Sequence, residues 1–217
     1  LKYHGKRAGN SRRSAAMLRG TSVTLRPFDS TELDQHRLWI NDRDIMFFLN
    51  RAYPVSDLEH QKWYEKVIGD DKTVFFSIFE NVNNTHIGAV WLWNIDYRNR
   101  NAEIRIFIGE KKLWGAGAGS EALKLISNYA FNELGLHKIY AYVHRKNPRG
   151  KLAFEKSGFA VEGELLDEFF CDGSFEDVYR LAMLSRQSAQ APQKEQDREI
   201  QVKGFEGSSF QWFKPKS

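Results

Sequence analysis

The sequence predicts an α/β chain of the α+β kind, a mixed sheet with helices on both sides, and three observations carry that prediction. Three strand-like segments follow one another across residues 73–109, a strongly periodic helix comes next, and then strand, helix and two more strands complete the order. Continuous or alternating apolar runs read as strands, and 3.6-residue spacing reads as helix. With 217 residues the chain has room for one substantial domain, and a second would be cramped.

Taken in order, residues 1–20 are polar and basic without periodicity and are expected to be a flexible leader. Residues 22–28 read as a short strand ending at Pro27, and 30–41 and 43–49 as helical. Ser56 and Glu59 have the spacing of a capping box, which starts a helix running through Ile68 and stopping at Gly69. Strands follow over 73–80, 85–95 and 102–109, with breaks at 81–84 and 97–101 suited to antiparallel hairpins. The run Ile87-Gly88-Ala89-Val90-Trp91-Leu92-Trp93 is apolar on both faces, so its strand belongs in the middle of the sheet. Ala122, Leu123, Leu125, Ile126, Tyr129, Ala130 and Leu134 recur at helical spacing, and Gly135 stands where a C-terminal cap belongs. A strand over 138–143, a short helix over 149–157 closed by Gly158, and strands over 159–165 and 175–184 finish a domain of residues 21–186. Residues 187–217 form a polar tail whose Phe205, Phe210, Trp212 and Phe213 suggest docking, with no sign of onto what.

The formal charge is +4, but six Lys or Arg lie in the first twenty residues with no acidic residue among them, which leaves the remainder at −2. The basic balance is therefore a property of the leader and gives little reason to propose a nucleic-acid partner. Cys171 is the single cysteine, which excludes an internal disulfide and a multi-thiolate metal site. His36, His60, His86, His137 and His144 show no metal spacing, so no metal is expected. No apolar run reaches membrane-spanning length and none at the start resembles a signal peptide, so a cytoplasmic location and no membrane partner are the expectation.

The chemistry is concentrated in the loop Leu113-Trp114-Gly115-Ala116-Gly117-Ala118-Gly119-Ser120, between a strand and the periodic helix. Glycines at alternate positions let the backbone turn tightly and present amide N–H groups, and the helix start adds its positive end. Together these suit a pyrophosphate. A Walker loop needs Lys then Ser or Thr where Ser120 and Glu121 stand, and a dinucleotide fold needs different glycine spacing near the start of a parallel sheet. Both of those readings fail.

Residues 22–185 resemble the GNAT superfamily of N-acetyltransferases, especially the branch of ribosomal-protein N-terminal and amino-sugar acetyltransferases. The resemblance rests on Ala102-Glu103-Ile104-Arg105-Ile106-Phe107-Ile108, the stretch from Trp114 to Ala122, Asn147-Pro148, Phe154-Glu155-Lys156-Ser157-Gly158-Phe159, Asp172-Gly173 and Asp177-Val178-Tyr179. Leu25-Arg26-Pro27 and Trp39-Ile40-Asn41-Asp42 match more loosely. The family implies a splayed central sheet that admits the pantetheine arm of acetyl-CoA. Ile106, Phe107 and Ile108 would pair with pantetheine. Trp114, Gly115, Ala116, Gly117, Ala118, Gly119 and Ser120 would hold the pyrophosphate, with Asn147, Lys151 and Phe154 nearby. The family's loop usually opens with Gln or Arg where this chain has Trp114, a change that backbone contacts should tolerate.

Acetyl transfer needs a neutral amine, yet an alkylammonium with a pKa near ~10.4 is almost wholly protonated at neutral pH. By resemblance Glu103 is the candidate base, against its simpler role as a strand residue or salt-bridge partner. Many family members place a Tyr where Phe154 stands, and some a Ser where Gly150 stands, so the acid that protonates the departing thiolate is unassigned, with His144 a minor candidate. Trp39, Asn41, Phe47, Trp91 and Trp93 border the acceptor cleft by analogy, although core packing explains aromatic residues on a central strand equally. Three functions stay open: acetylation of a small primary amine such as an amino sugar or polyamine, acetylation of a protein N-terminus, and CoA binding without catalysis. The Trp39 segment and Trp63 lean toward amino sugars. The oligomeric state is not legible, and a homodimer stays open.

Overall fold

The computed structural model describes residues 17–171 and 173–185. The expected polar tail, its four aromatic residues and most of the leader lie outside the described residues.

The strands and helices are, in chain order, β1 (Leu18–Arg19), β2 (Val23–Pro27), α1 (Leu33–Ile40), α2 (Arg43–Phe48), α3 (Asp57–Ile68), β3 (Val74–Glu80), β4 (Thr85–Asp96) and β5 (Asn101–Ile108). There follow α4 (Ala118–Asn132), β6 (Lys138–His144), α5 (Pro148–Lys156), β7 (Ala160–Cys171) and β8 (Ser174–Leu184). The eight strands make one sheet in the order β1-β2-β3-β4-β5-β6-β8-β7. The apolar run at 87–93 lies in β4, between β3 and β5, as its two-sided pattern requires.

All strand pairs are antiparallel except β5 with β6. That parallel pair is in register only at Asn101↔Lys138, Ala102↔Ile139 and Glu103↔Tyr140, after which the strands part. From Ile104 to Ile108, among the described residues, one edge of β5 has no strand beside it while the other stays paired to β4. This is the splay expected from the family resemblance.

Alternation along β5 divides the core in two. Ile104 packs with Ala122, Leu123, Ile126 and Ala130 of α4 on one face. Phe107 packs with Trp39, Ile40 and Ile45 of α1 and α2 on the other. Helices therefore cover both sides of the sheet.

Three boundaries differ from the sequence reading, each for a local reason. Leu18 and Arg19, placed in the leader, pair with Leu25 and Thr24 of β2. Helix α4 starts at Ala118, inside the stretch 113–120 read as loop, its first turn hidden by the low helix propensity of Gly119. β7 runs on to Cys171, well past 165, because irregularities between Val161/Gly163 and Leu165/Phe169, with Asp167 at φ +52°, disrupt the alternation that marks a strand.

Candidate active site

The gap between β5 and β6 opens into a cavity of about 540 Å³. Its mouth is built by the glycine loop. Gly115 and Gly117 hold φ of +83° and +96°, a region in which a side chain is strained, and a Cβ at either would meet nothing within 4 Å. The open space beside them is thus available to a ligand. Gly117 is the N-cap of α4 and offers no side-chain acceptor, whereas α3 is capped by Ser56 and Glu59 and α5 by Asn147. The first amides of α4 have no intrahelical acceptor, so Ala118, Gly119 and Ser120 point donors at the loop end. Within the loop, the Trp114 amide donates to Lys111 and the Ala116 amide to Leu113, so these two belong to the turn itself.

Lys124, Arg149 and Lys156 also reach the cavity wall, and among the described residues none has a carboxylate partner. Arg149 lies over the Trp114 ring at 3.9 Å, and the Trp114 indole donates to the Ile108 carbonyl at 2.6 Å. Trp114 thus anchors the loop to the end of β5 and positions a guanidinium at the mouth. The Ile108 carbonyl is spent in doing so.

At the inner end stands Glu103, 7% exposed, on the last residue pair before the strands part. Its carboxylate accepts from Arg105 Nε at 2.5 Å. Arg105 is two residues on, hence on the same face of β5. Around them the wall is formed by Ile45, Phe48, Leu49 and Asn50 from α2 and its C-terminal turn, with Tyr142 of β6 and Phe169 of β7. Asn147 does not reach out freely, since its side-chain oxygen accepts from the Gly150 amide at 2.8 Å as the cap of α5. A Cβ on Gly150 would come within 2.5 Å of that amide group, so glycine suits the position.

Of the residues singled out from sequence, Glu103, Ile106, Phe107, Ile108, Trp114, Gly115, Gly117, Gly119, Ser120, Asn147 and Phe154 line this one cavity. Ala116 and Ala118 do not, and Lys151 turns instead to Glu155 and to the Tyr179 ring. The five residues placed at the acceptor cleft are also away from its wall. Trp39 is packed so tightly that a Cβ on Gly109 would enter its ring, Trp91 stacks on Phe75, and Trp93 packs against the same cluster. Asn41 clamps the Val55 backbone through both its amide atoms, and Phe47 stacks with His144. His144 itself is fully buried between Phe47 and Phe169, with neither ring nitrogen hydrogen-bonded among the described residues. Sequence reasoning missed Arg105, Tyr142, Lys124, Arg149, Lys156, Phe48 and Phe169. Alternation would have placed Arg105 beside Glu103, but nothing local shows which strand edge opens.

Residues 22–160 match the acetyltransferase (GNAT) domain. The chain belongs to that family. It is 33% identical over 165 residues to the spermidine N(1)-acetyltransferase of Vibrio cholerae, an alignment covering 76% of this chain and 94% of the relative. Against the spermidine N(1)-acetyltransferase of Escherichia coli it is 31% identical over 167 residues, covering 76% and 88%. The crystal structure of the Vibrio cholerae enzyme with CoA and spermine superposes with a TM-score of 0.71 at 32% identity, covering 75% of this chain and 95% of that one. The chain is accordingly an acetyl-CoA-dependent N-acetyltransferase with the mixed α/β fold of its family. Among the described residues no group of three His, Cys, Asp or Glu is arranged to hold a metal, and no helix is long and apolar enough to cross a membrane.

Proposed function

We propose that this site transfers acetyl from acetyl-CoA to a primary amine of a small polyamine, entering from the Glu103 face of the opened sheet. The observation that carries the reading is the single cavity that joins an uncapped helix start, an unpaired strand edge and a buried carboxylate. The pyrophosphate would sit on the amides of Gly117 to Ser120, with Lys124, Arg149 and Lys156 balancing its charge. The pantetheine arm would follow the free edge of β5 inward, its amides taking the place of a strand. From Ile108 to Glu103 that edge spans roughly 16 Å at ~3.3 Å per residue, which sets the thioester beside the fork.

In the proposed mechanism the acceptor's ammonium replaces Arg105 as the partner of Glu103. Glu103 then takes the proton, directly or through one water, and the neutral amine attacks the thioester carbonyl. Backbone N–H groups on the open edge stabilise the oxyanion as it forms. The methylene stretches of a polyamine suit the apolar wall of Phe48, Leu49 and Phe169, and one carboxylate at the apex serves one amine. The relatives support a polyamine over the amino-sugar and ribosomal-protein branch expected from sequence.

Thiol release from acetyl-CoA tests this with spermidine, spermine, putrescine, glucosamine and an N-terminal peptide. Polyamines are expected to exceed the others in kcat/KM by at least about tenfold, a difference of ~1.4 kcal/mol in transition-state binding. Preference for the peptide or the sugar would replace the acceptor while leaving the acetyl-CoA half of the site in place.

A further inference from the structure

The departing thiolate needs a proton, and Phe154 and Gly150 cannot give one. Phe154 lines the cavity as a hydrocarbon, and Gly150 has no side chain. The cavity wall carries two hydroxyl groups. Ser120 Oγ donates to the Ala153 carbonyl at 3.3 Å, at the phosphate end of the site. The Tyr142 hydroxyl has no hydrogen-bond partner among the described residues.

The topology places Tyr142 where the reaction occurs. Strand pairing ends at Glu103↔Tyr140. The next residues on that face are Arg105 on β5 and Tyr142 on β6, so they form the first opposed pair across the open gap. Both line the cavity. The two lysines of the wall come from α4 and α5, which frame the mouth rather than the apex. Tyr142 is held by its ring, edge-on to Tyr140 at 5.9 Å and to Phe169 at 6.4 Å. The Arg180 guanidinium lies 5.8 Å from the same ring and adds to its packing.

From this geometry we infer that Tyr142 is the general acid of the reaction. The inference rests on the reading of the cavity as the acetyl-transfer site, but not on which amine is the acceptor. When the tetrahedral intermediate collapses, the C–S bond breaks, its electron pair stays on sulfur, and sulfur takes the phenolic proton. The attacking nitrogen, which lost its first proton to Glu103, releases a second to solvent as the intermediate collapses, and the phenolate regains one from solvent, so the products are the neutral amide, the free thiol and one net proton.

The test is Tyr142→Phe, with Tyr140→Phe as a control because Tyr140 does not line the cavity. Both are measured by thiol release from acetyl-CoA with the amine that the wild-type enzyme turns over fastest, after thermal melting shows them folded. Tyr142→Phe should lower kcat about a hundredfold, the lower end of general-acid effects because a thiolate already leaves tolerably. The KM for acetyl-CoA should stay within twofold. Tyr140→Phe should stay within twofold throughout. A Tyr142→Phe enzyme with wild-type kcat overturns the inference, as does an equal loss in both variants or a loss that lies in the KM for acetyl-CoA with kcat unchanged. A changed order of amines in the wild-type enzyme would instead bear on the acceptor alone.

Discussion

Glu103 is a strand residue whose surroundings suit the base proposed for this site. It is buried on a central strand, where an unpaired carboxylate would be costly, and Arg105 two residues on supplies the compensating charge. In the proposed mechanism an incoming ammonium would meet a carboxylate already buried and oriented. Replacing Glu103 by Gln keeps the shape and removes the base. The expected result is a fall of roughly a hundredfold or more in kcat/KM for the amine at neutral pH, with acetyl-CoA binding unchanged. The deficit should shrink as pH rises and more of the amine is neutral in solution, which a pH–rate profile checks directly.

At the scale of elements, the ends of three helices mark their different uses. α3 closes its own start with the reciprocal Ser56–Glu59 box, and α4 leaves its start open at Gly117. α5 is intermediate, with Asn147 capping through one amide atom while lining the cavity. Asn147→Ala should therefore cost about 1 kcal/mol of stability, a Tm lowered by roughly 2–4 °C for a domain of this size. A rise in the KM for acetyl-CoA should accompany it, because α5 also sets the position of Arg149. A melt and a saturation curve on the same preparation separate the two effects. The capping box and the glycine loop were legible in the sequence because each is a local pattern. The far half of β7 was not, since irregular pairing replaces its alternation.

For the whole molecule, the three helices before β3 bring a cluster of imidazoles into the core. His36 and His60 share a contact of 2.9 Å between ring nitrogens, and Trp63 stacks on both. Burial holds His60 and His86 down at about 4, and burial followed by the charge of His60 pushes His36 well below the usual 6.5. The folded protein therefore keeps these rings neutral where the unfolded chain would bind protons. Stability should be level above about pH 6.5, fall as pH drops toward 4, and level off for His60 and His86 below that. Thermal melts across pH 4 to 8 should show this fall, and His60→Gln should make it shallower.

The order of elements, the central place of β4 and the GNAT family were legible from the residues alone, because periodicity, caps and motif spacing are local signals that tertiary packing rarely overrides. Glu103, Trp114, Gly115, Gly117, Gly119 and Asn147, singled out from the sequence, line one cavity. The rest of the cavity wall follows from the tertiary packing. Trp39, Asn41, Phe47, Trp91 and Trp93 are the kinds of residue that line clefts, but the same apolar surface fills the core between α1, α2 and the sheet. Phe48, Tyr142 and Phe169 come from three separate elements, and they meet because β5 and β6 stop pairing after Glu103 and Tyr140. That divergence results from many long-range contacts at once, which no short stretch of sequence encodes.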